Sequence, residues 1–239
     1  MTSILITGAS AGIGRATAEL FLARGWRVGL LARRAAALHA LAKGQPNAVV
    51  LPCDVTEPAA VAEVVESFVA QAGRLDVLFN NAGSFGRAAP IDELPLNAWQ
   101  EAVDVNLHGM FYAARAAFGQ MRRQSPQGGR IINNGSVSAH APRENAVSYT
   151  VTKHAITGLT KSLSLDGRAY DIACGQIDIG NARTALLEEV AAKTPDTPPP
   201  MMDVAHVAEA VFNMASLPAE ANVQFMTLMA TKMPYIGRG

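Results

Sequence analysis

Residues 7–14 read TGASAGIG and follow directly on a short apolar run, Ser3 to Thr7. From Ile13, within the motif, apolar residues recur at the spacing of one helix face and include Leu20 and Phe21. Glycines permit a tight turn between a strand and a helix, and they let a pyrophosphate approach the backbone at the helix N-terminus. The segment therefore predicts a nucleotide-binding strand, turn and helix at the start of an α/β domain.

Strand-like runs alternate with helical segments along most of the chain. Because such alternation requires right-handed crossovers, it predicts an α/β fold, with a doubly wound, mostly parallel sheet of Rossmann type flanked by helices on both faces. Buried strands are expected at Ile4 to Thr7, Val28 to Leu31, Ala48 to Leu51, Val77 to Asn80, Arg130 to Asn133 and Ile172 to Ile177. Two long helices, Asn97 to Arg123 and Val147 to Gly167, a last helix, Asp203 to Leu217, and a last strand near Gln224 to Leu228 are also expected.

Composition limits the class of protein. The 239 residues are 49% hydrophobic, which suits one domain, 1–239, and their formal net charge is zero. Without a basic surplus or a long apolar run, neither nucleic acid nor a membrane is an expected partner. The N-terminus lacks the pattern of a signal peptide, and only Cys53 and Cys174 are present, so we expect a cytoplasmic protein with no disulfide framework and no metal site.

The segment from Ala182 to Met202 interrupts the strand–helix alternation. It ends in three consecutive prolines, 198–200, which cannot extend a helix. We therefore expect a surface excursion that acts as a substrate lid, around residues 182–202.

The spacing T-G-x-x-x-G-x-G resembles the short-chain dehydrogenase/reductase family, in its compact single-domain branch. Asn80-Asn81-Ala82-Gly83 after the fourth strand and the Y-x-x-x-K pair of Tyr149 and Lys153 extend the resemblance, and matched positions run from Thr7 to about Thr184. The resemblance implies an oxidoreductase that moves a hydride between a nicotinamide and a small-molecule carbonyl or alcohol. It also implies a homodimer or homotetramer, and small residues at helical spacing in the second long helix, such as Ala155 and Gly158, fit close helix pairing.

The resemblance places the cofactor against a defined set of residues. These are Gly8, Ser10, Gly12, Ile13, Gly14, Arg33, Asp54, Asn80, Ala82, Gly83, Tyr149, Lys153, Gly180 and Thr184. An acid at the end of the second strand would bond the ribose of NAD, whereas an arginine attracts the 2′-phosphate of NADP. Because Ala32 occupies the position of that acid and Arg33 follows it, with Ser10 offering a hydroxyl, we expect NADP(H). The alternative is that the arginines at this point are solvated surface residues.

Four residues are expected to carry the chemistry. Tyr149 and Lys153 lie one helical turn apart, so the lysine charge can favour the phenolate of a tyrosine that acts as general acid and base. Ser136 precedes the tyrosine by thirteen positions, as the family's catalytic serine does, and is expected to hold the substrate oxygen. Ser138 is then a residue of the pocket wall. Asn106 matches the family's fourth catalytic residue, which implies local helix distortion and a water relay to Lys153.

Two departures and two rival functions accompany this hypothesis. Ile179 stands where the family usually has proline, and the tail has Met233-Pro234-Tyr235-Ile236 in place of the usual Gly-Gly ending. A serine hydrolase using Ser136 and a histidine is disfavoured because Ser136, in Asn134-Gly135-Ser136-Val137-Ser138, does not lie in a G-x-S-x-G motif. A non-catalytic NADP(H)-binding sensor or scaffold of the same fold is the other alternative. The substrate pocket is expected at residues 84–87, 138–143 and 182–187, and its ligand is not specified by the sequence.

Overall fold

The computed structural model describes residues 1–236, and residues 237–239 of the expected domain lie outside that part. The strands of this part are β1 (Ser3–Thr7), β2 (Arg27–Ala32), β3 (Ala48–Pro52), β4 (Val77–Asn80), β5 (Gly129–Asn134), β6 (Ile172–Ile179), β7 (Ala182–Arg183), β8 (Met202–Asp203) and β9 (Phe225–Leu228). Seven of them form one parallel sheet in the order β3-β2-β1-β4-β5-β6-β9, and β7 and β8 form a separate two-stranded parallel ladder.

Among the described residues, eight α-helices connect the strands. They are α1 (Gly12–Ala23), α2 (Ala35–Ala42), α3 (Pro58–Ala72), α4 (Leu96–Val103), α5 (Gly109–Arg123), α6 (Val147–Gly167), α7 (Ala185–Lys193) and α8 (Val204–Ala215). Short 3-10 turns occupy Val137–Ala139 and Arg168–Tyr170. Within residues 1–236, no helix combines the length and the apolar character that crossing a bilayer requires.

Two hydrophobic cores cover the two faces of the sheet. Alternate residues of the buried strands serve opposite faces, so Ile4 and Ile6 pack with Phe21 of α1 and Val207 of α8, while Leu5 packs on the other face with α3 and α5. Since both faces are buried, β1, β2 and β4 are mostly apolar, whereas β5 and β6 also carry buried polar residues such as Asn133 and Asp178. The result is the predicted doubly wound sheet of Rossmann type, in which the strand order reverses between β1 and β4 and opens a crevice at the carboxyl ends of the strands.

Most predicted elements are confirmed within one or two residues, and α6 matches its prediction at both ends. The helix expected over 97–123 is instead divided by a π-helical turn, Asp104–His108. The segment 182–202, expected as a surface excursion, contains α7 and two short strands that the sequence did not predict. The helix ends at Lys193, before the prolines, and residues 185–193 are dominated by strong helix formers.

Candidate active site

The glycine turn after β1 has the backbone that its sequence predicts. Gly8 and Gly12 have φ of +71° and +53°, values that favour glycine. A Cβ on Gly14 would collide with the carbonyl oxygen of Gly8, so only glycine permits this close packing. Ala11 precedes α1, and in the described structure no side chain caps this helix and no acid lies in its first turn. The N–H groups and positive dipole end of α1 are therefore available to phosphate oxygens, and the turn fits a dinucleotide.

The end of β4 is fastened to the end of β1. Thr7 Oγ1 accepts hydrogen bonds of 2.8 Å from the main-chain N–H groups of Asn81 and Ala82. The side-chain amide of Asn81 donates through Nδ2 to the main-chain carbonyl oxygen of Thr7 at 2.9 Å. Asn80 lies deeper than expected for a cofactor contact: its buried side chain donates to Met110 O at 2.7 Å and to Asn133 Oδ1 at 3.2 Å. These contacts turn the amide of Asn80 into the sheet, while Ala82 and Gly83 remain at its rim.

Two arginines follow β2 and point to different partners. Arg34 approaches the glycine turn, with Nη2 3.2 Å and Nε 3.4 Å from Ser10 Oγ. Arg33, whose side chain is 74% exposed, has Nη1 3.8 Å from Asp54 Oδ2. The sequence directed attention to Arg33 and missed Arg34. Both guanidinium groups lie beside the end of β2, where position 32 is an alanine and the nearby carboxylate is that of Asp54, beside Arg33.

Tyr149 and Lys153 lie one turn apart in the first half of α6. Lys153 Nζ is 5.6 Å from the centroid of the Tyr149 ring and donates to Asn134 O at 2.7 Å. The lysine is almost fully buried, and this burial lowers its pKa, although the nearby Tyr149 and Asp178 act in the opposite direction. The ring of Phe85 lies 5.1 Å from that of Tyr149, which places one predicted pocket segment beside the phenol.

Ser136 lies at the end of β5 in extended backbone, just before the 3-10 turn. Its Oγ accepts a hydrogen bond from Ser138 N at 3.1 Å, which leaves the hydroxyl hydrogen free to be donated to a ligand. Ser138 Oγ is itself buried and lacks a hydrogen-bond partner among residues 1–236. Within residues 1–236, Ser136 Oγ makes no hydrogen bond to a histidine. The nucleophile–base contact on which a serine hydrolase depends is therefore missing from this part of the chain.

Asn106 lies at the middle of the π-helical turn and is fully buried. Its Oδ1 accepts from Ser84 N and its Nδ2 donates to Ser84 O, both at 2.8 Å, so it fixes a pocket segment by two bonds. A longer contact of 3.4 Å runs from Nδ2 to Thr152 Oγ1 on α6. The π-helical turn, which has one more residue than an α-helical turn, thus contains a buried asparagine. Asn106 connects the pocket segment at Ser84 with α6, the helix that carries Tyr149.

The segment after β6 follows a defined path although it lacks the usual proline. Strand β6 continues through Ile179, which is in register with Leu228 of β9. Gly180 N then donates to Leu228 O at 2.8 Å. Thr184 lies close to the glycine turn, since a Cβ on Gly12 would be 3.3 Å from its Cγ2.

Asp178 and His140 form a contact that the sequence did not reveal. His140 Nε2 is 2.7 Å from Asp178 Oδ2, and three residues farther along each segment Arg143 Nη2 donates to Asn181 Oδ1 at 3.3 Å. The available signal was an aspartate between two isoleucines of a buried strand, since a buried carboxylate requires donors.

Comparison with known proteins places these features in a family. The family model described as short chain dehydrogenase matches residues 2–195. The L-fucose dehydrogenase of Oryctolagus cuniculus is 34% identical over 193 residues, which cover 81% of this chain and 67% of that protein. A closed form of serine dehydrogenase complexed with NADP+ is 27% identical with a TM-score of 0.91, and the match covers 100% of this chain and 98% of that one. A 3-ketoacyl-(acyl-carrier-protein) reductase from Brucella melitensis complexed with NADH is 25% identical with a TM-score of 0.87, covering 95% and 96% of the two chains.

A Rossmann-type sheet with relatives of this kind defines a dinucleotide-dependent oxidoreductase. The chain belongs to the short-chain dehydrogenase family. The two solved relatives hold different nicotinamide cofactors, so the choice between them must be argued from this chain's own residues.

Proposed function

We propose that the chain is an NADP(H)-dependent oxidoreductase that interconverts a carbonyl and an alcohol, with Tyr149 as general acid and base. The observation that carries the proposal is the grouping of three residues at one end of the sheet: Ser136 with a hydroxyl hydrogen free to donate, Tyr149 beside the pocket segment of Phe85, and a buried ammonium on Lys153. This is the donor set that a developing alkoxide requires.

The roles follow from the contacts of each side chain. In carbonyl reduction, Ser136 donates to the substrate oxygen and Tyr149 transfers its phenolic proton to it. Lys153, held by Asn134 O, stabilises the phenolate that remains, since its charge lies in a site with little water. Bound NADP(H) would supply or accept the hydride. Asn106 acts on the pocket wall through Ser84 and has no direct part in proton transfer in this scheme.

The cofactor would be held by the glycine turn and the ends of β2, β3 and β4. Gly8, Gly12 and Gly14 allow the pyrophosphate to approach the N-terminus of α1. Arg33 and Arg34, with the hydroxyl of Ser10, supply the positive charge and donors that suit a ribose 2′-phosphate. The absence of a carboxylate at Ala32 removes the group that would repel this phosphate. Asp54 lies at the adenine side, and Gly180 and Thr184 at the nicotinamide side.

The proposal includes a lid and an assembly. Residues 182–202, with α7, are proposed to cover the substrate, because Thr184 already lies against the glycine turn.

A homodimer is proposed to form through α5 and α6, which line a groove of about 780 Å³ together with α3. Phe111, Val151 and Leu165 on these helices are 46%, 44% and 60% exposed, an apolar surface that a second copy would cover.

A reaction screen tests the proposal. NADPH is mixed with a panel of aldehydes and ketones, and NADP+ with the matching alcohols, while nicotinamide absorbance is followed. Turnover of at least one compound supports the enzyme. Tight binding of NADPH without turnover of any compound would instead favour the non-catalytic sensor or scaffold.

A further inference from the structure

Asp178 is a buried acid near the proposed reaction centre that the mechanism above leaves without a role. Its side chain is 1% exposed. Oδ1 accepts hydrogen bonds from Ser136 N at 3.0 Å and from Gln176 Nε2 at 2.7 Å, and Oδ2 pairs with His140 Nε2 at 2.7 Å. Removing a carboxylate from water is costly unless donors replace the water, so these three donors hold the carboxylate in one position.

Gly135 makes the approach of this carboxylate possible. A Cβ at Gly135 would collide with Asp178 Oδ1, and it would also lie 2.7 Å from Gln176 Nε2. The φ of Gly135 is not in the left-handed region, so the requirement for glycine at this position comes from space. The Gly135-Ser136 pair is therefore matched to an aspartate on the neighbouring strand.

Ser136 is held at two atoms as a result. Its main-chain N–H donates to Asp178, and its Oγ accepts from Ser138 N. With one lone pair of the hydroxyl engaged, the hydroxyl hydrogen is directed elsewhere. Both contacts limit rotation of the serine, and a hydroxyl that is already oriented loses less entropy when it binds a substrate oxygen.

His140 is the partly exposed partner of the buried Asp178 carboxylate. Its side chain is 40% exposed, against 1% for that of Asp178. Gln176 belongs to a buried chain of hydrogen bonds, since its Oε1 accepts from Thr160 and its Nε2 also donates to Thr157, both on α6. The carboxylate thus connects an internal polar network with an exposed imidazole, and it also binds the main-chain N–H of Ser136.

We propose that Asp178 and His140 are positioning residues for Ser136: the carboxylate holds the serine N–H, and the imidazole holds the carboxylate. The inference rests on the proposed function, in which Ser136 binds the substrate oxygen. Lys153 belongs to the same cluster, because its Nζ binds Asn134 O two residues before the serine. The titratable groups packed around the carboxylate are therefore His140 on its exposed side and Lys153 on α6.

Three variants test the pair. Asp178→Asn keeps the size of the side chain and removes its charge, His140→Leu removes the donor, and His140→Gln keeps a donor. With the aldehyde or ketone that the wild type reduces fastest in the screen, Asp178→Asn and His140→Leu should lower kcat by about tenfold, as loss of a charge-assisted hydrogen bond implies. His140→Gln should recover most of that loss, and KM and the Kd for NADPH should change by less than about threefold. His206→Gln, on the exposed face of α8, is the matched control.

A double-mutant cycle distinguishes positioning from a general structural role. If Asp178 acts through Ser136, Asp178→Asn should lower kcat in the wild type but not further in a Ser136→Ala background. In NMR spectra of histidine labelled with 15N, His140 should show a slowly exchanging Nε2–H that disappears in Asp178→Asn. Circular dichroism and thermal unfolding establish that each variant is folded. If Asp178→Asn does not fold, the comparison of His140→Leu with His140→Gln decides.

The inference is overturned if Asp178→Asn and His140→Leu keep wild-type kcat. It is equally overturned if their losses add fully to that of Ser136→Ala, or if His140→Gln and His140→Leu are equally impaired. Failure of the proposed function would be visible elsewhere, as a wild type without turnover or a Tyr149→Phe variant with full turnover.

Discussion

Lys153 holds its ammonium 5.6 Å from the centre of the Tyr149 ring, one helical turn away on α6. The ammonium is fixed by Asn134 O, so it acts on the phenol through its field and makes no competing hydrogen bond that would engage the phenolic oxygen. Burial lowers the pKa of this lysine, and a negative Tyr149 or Asp178 opposes that effect. In the proposed mechanism, this charge stabilises the phenolate that Tyr149 becomes when it gives up its proton.

Replacement of Tyr149 by phenylalanine should abolish most turnover. The variant keeps the ring and its contact with Phe85 but has no proton to donate, so kcat should fall by about 10²–10⁴-fold. The Kd for NADPH should stay within about threefold of the wild type, since the ring that remains preserves the packing. Steady-state kinetics and fluorescence titration measure the two quantities. Near-normal turnover by Tyr149→Phe would show that the proton comes from another group.

The sequence predicted the parts of the site that depend on local spacing. Tyr149 and Lys153 share a face of α6 because helical geometry places residues four apart together, and the glycine turn follows from the conformations that only glycine adopts easily. Ser136 was placed by its separation from Tyr149 in a family pattern. Each of these inferences needs only a short segment of chain or a fixed spacing.

Contacts between distant segments were not predictable in the same way. His140 and Asp178 are 38 residues apart, and they meet because β5 and β6 are neighbours: Asp178 lies near the carboxyl end of β6, and His140 lies in the segment that follows β5. Arg33 and Arg34 are equivalent by sequence, and only the direction of each side chain distinguishes the one beside Asp54 from the one beside Ser10. The helix α7 was missed because the prolines after it dominated the interpretation of a segment whose first half favours helix.

An acidic side chain on the exposed faces of α5 and α6 should separate the proposed dimer. Phe111→Glu and Leu165→Glu each place a charge on an apolar surface that would be buried by a second copy, where an unpaired charge is costly. Light scattering should show a dimer or larger assembly for the wild type at micromolar concentration and a monomer for the double variant. Val190→Glu changes a residue on α7 that is 44% exposed and should leave the assembly intact. A monomeric wild type would contradict the proposal.

The stability of the fold at alkaline pH should depend on Cys174. Burial raises the pKa of this thiol from 9.0 to about 12, so between these values the folded protein keeps a proton that the unfolded chain has lost. Its stabilising contribution is complete below pH 9.0 and declines as the pH rises toward the folded value, with a slope of up to about 1.4 kcal/mol per pH unit. Cys174→Ala should start from a lower free energy of unfolding, because it leaves a cavity, and should lack this part of the decline. Denaturant unfolding of both proteins over this range gives the difference, and parallel pH profiles would contradict the expectation.

The preference for NADPH over NADH should be removed by changing the residues after β2. Arg33→Ala and Arg34→Ala should each weaken NADPH by about tenfold or more while changing NADH by less than about threefold, because only the 2′-phosphate makes charge-assisted contacts with a guanidinium. Ala32→Asp should shift the preference toward NADH, since a carboxylate at the end of β2 would bond the ribose hydroxyl and repel the phosphate.

Arg15→Ala is the matched control, because Arg15 forms an ion pair with Glu19 at 2.9 Å on the surface of α1. Fluorescence titration of the wild type and of each variant with NADPH and with NADH measures these affinities. A larger loss in Arg34→Ala than in Arg33→Ala would identify the arginine beside Ser10 as the main phosphate ligand, and equal affinity of the wild type for the two cofactors would refute NADP(H) as the preferred cofactor.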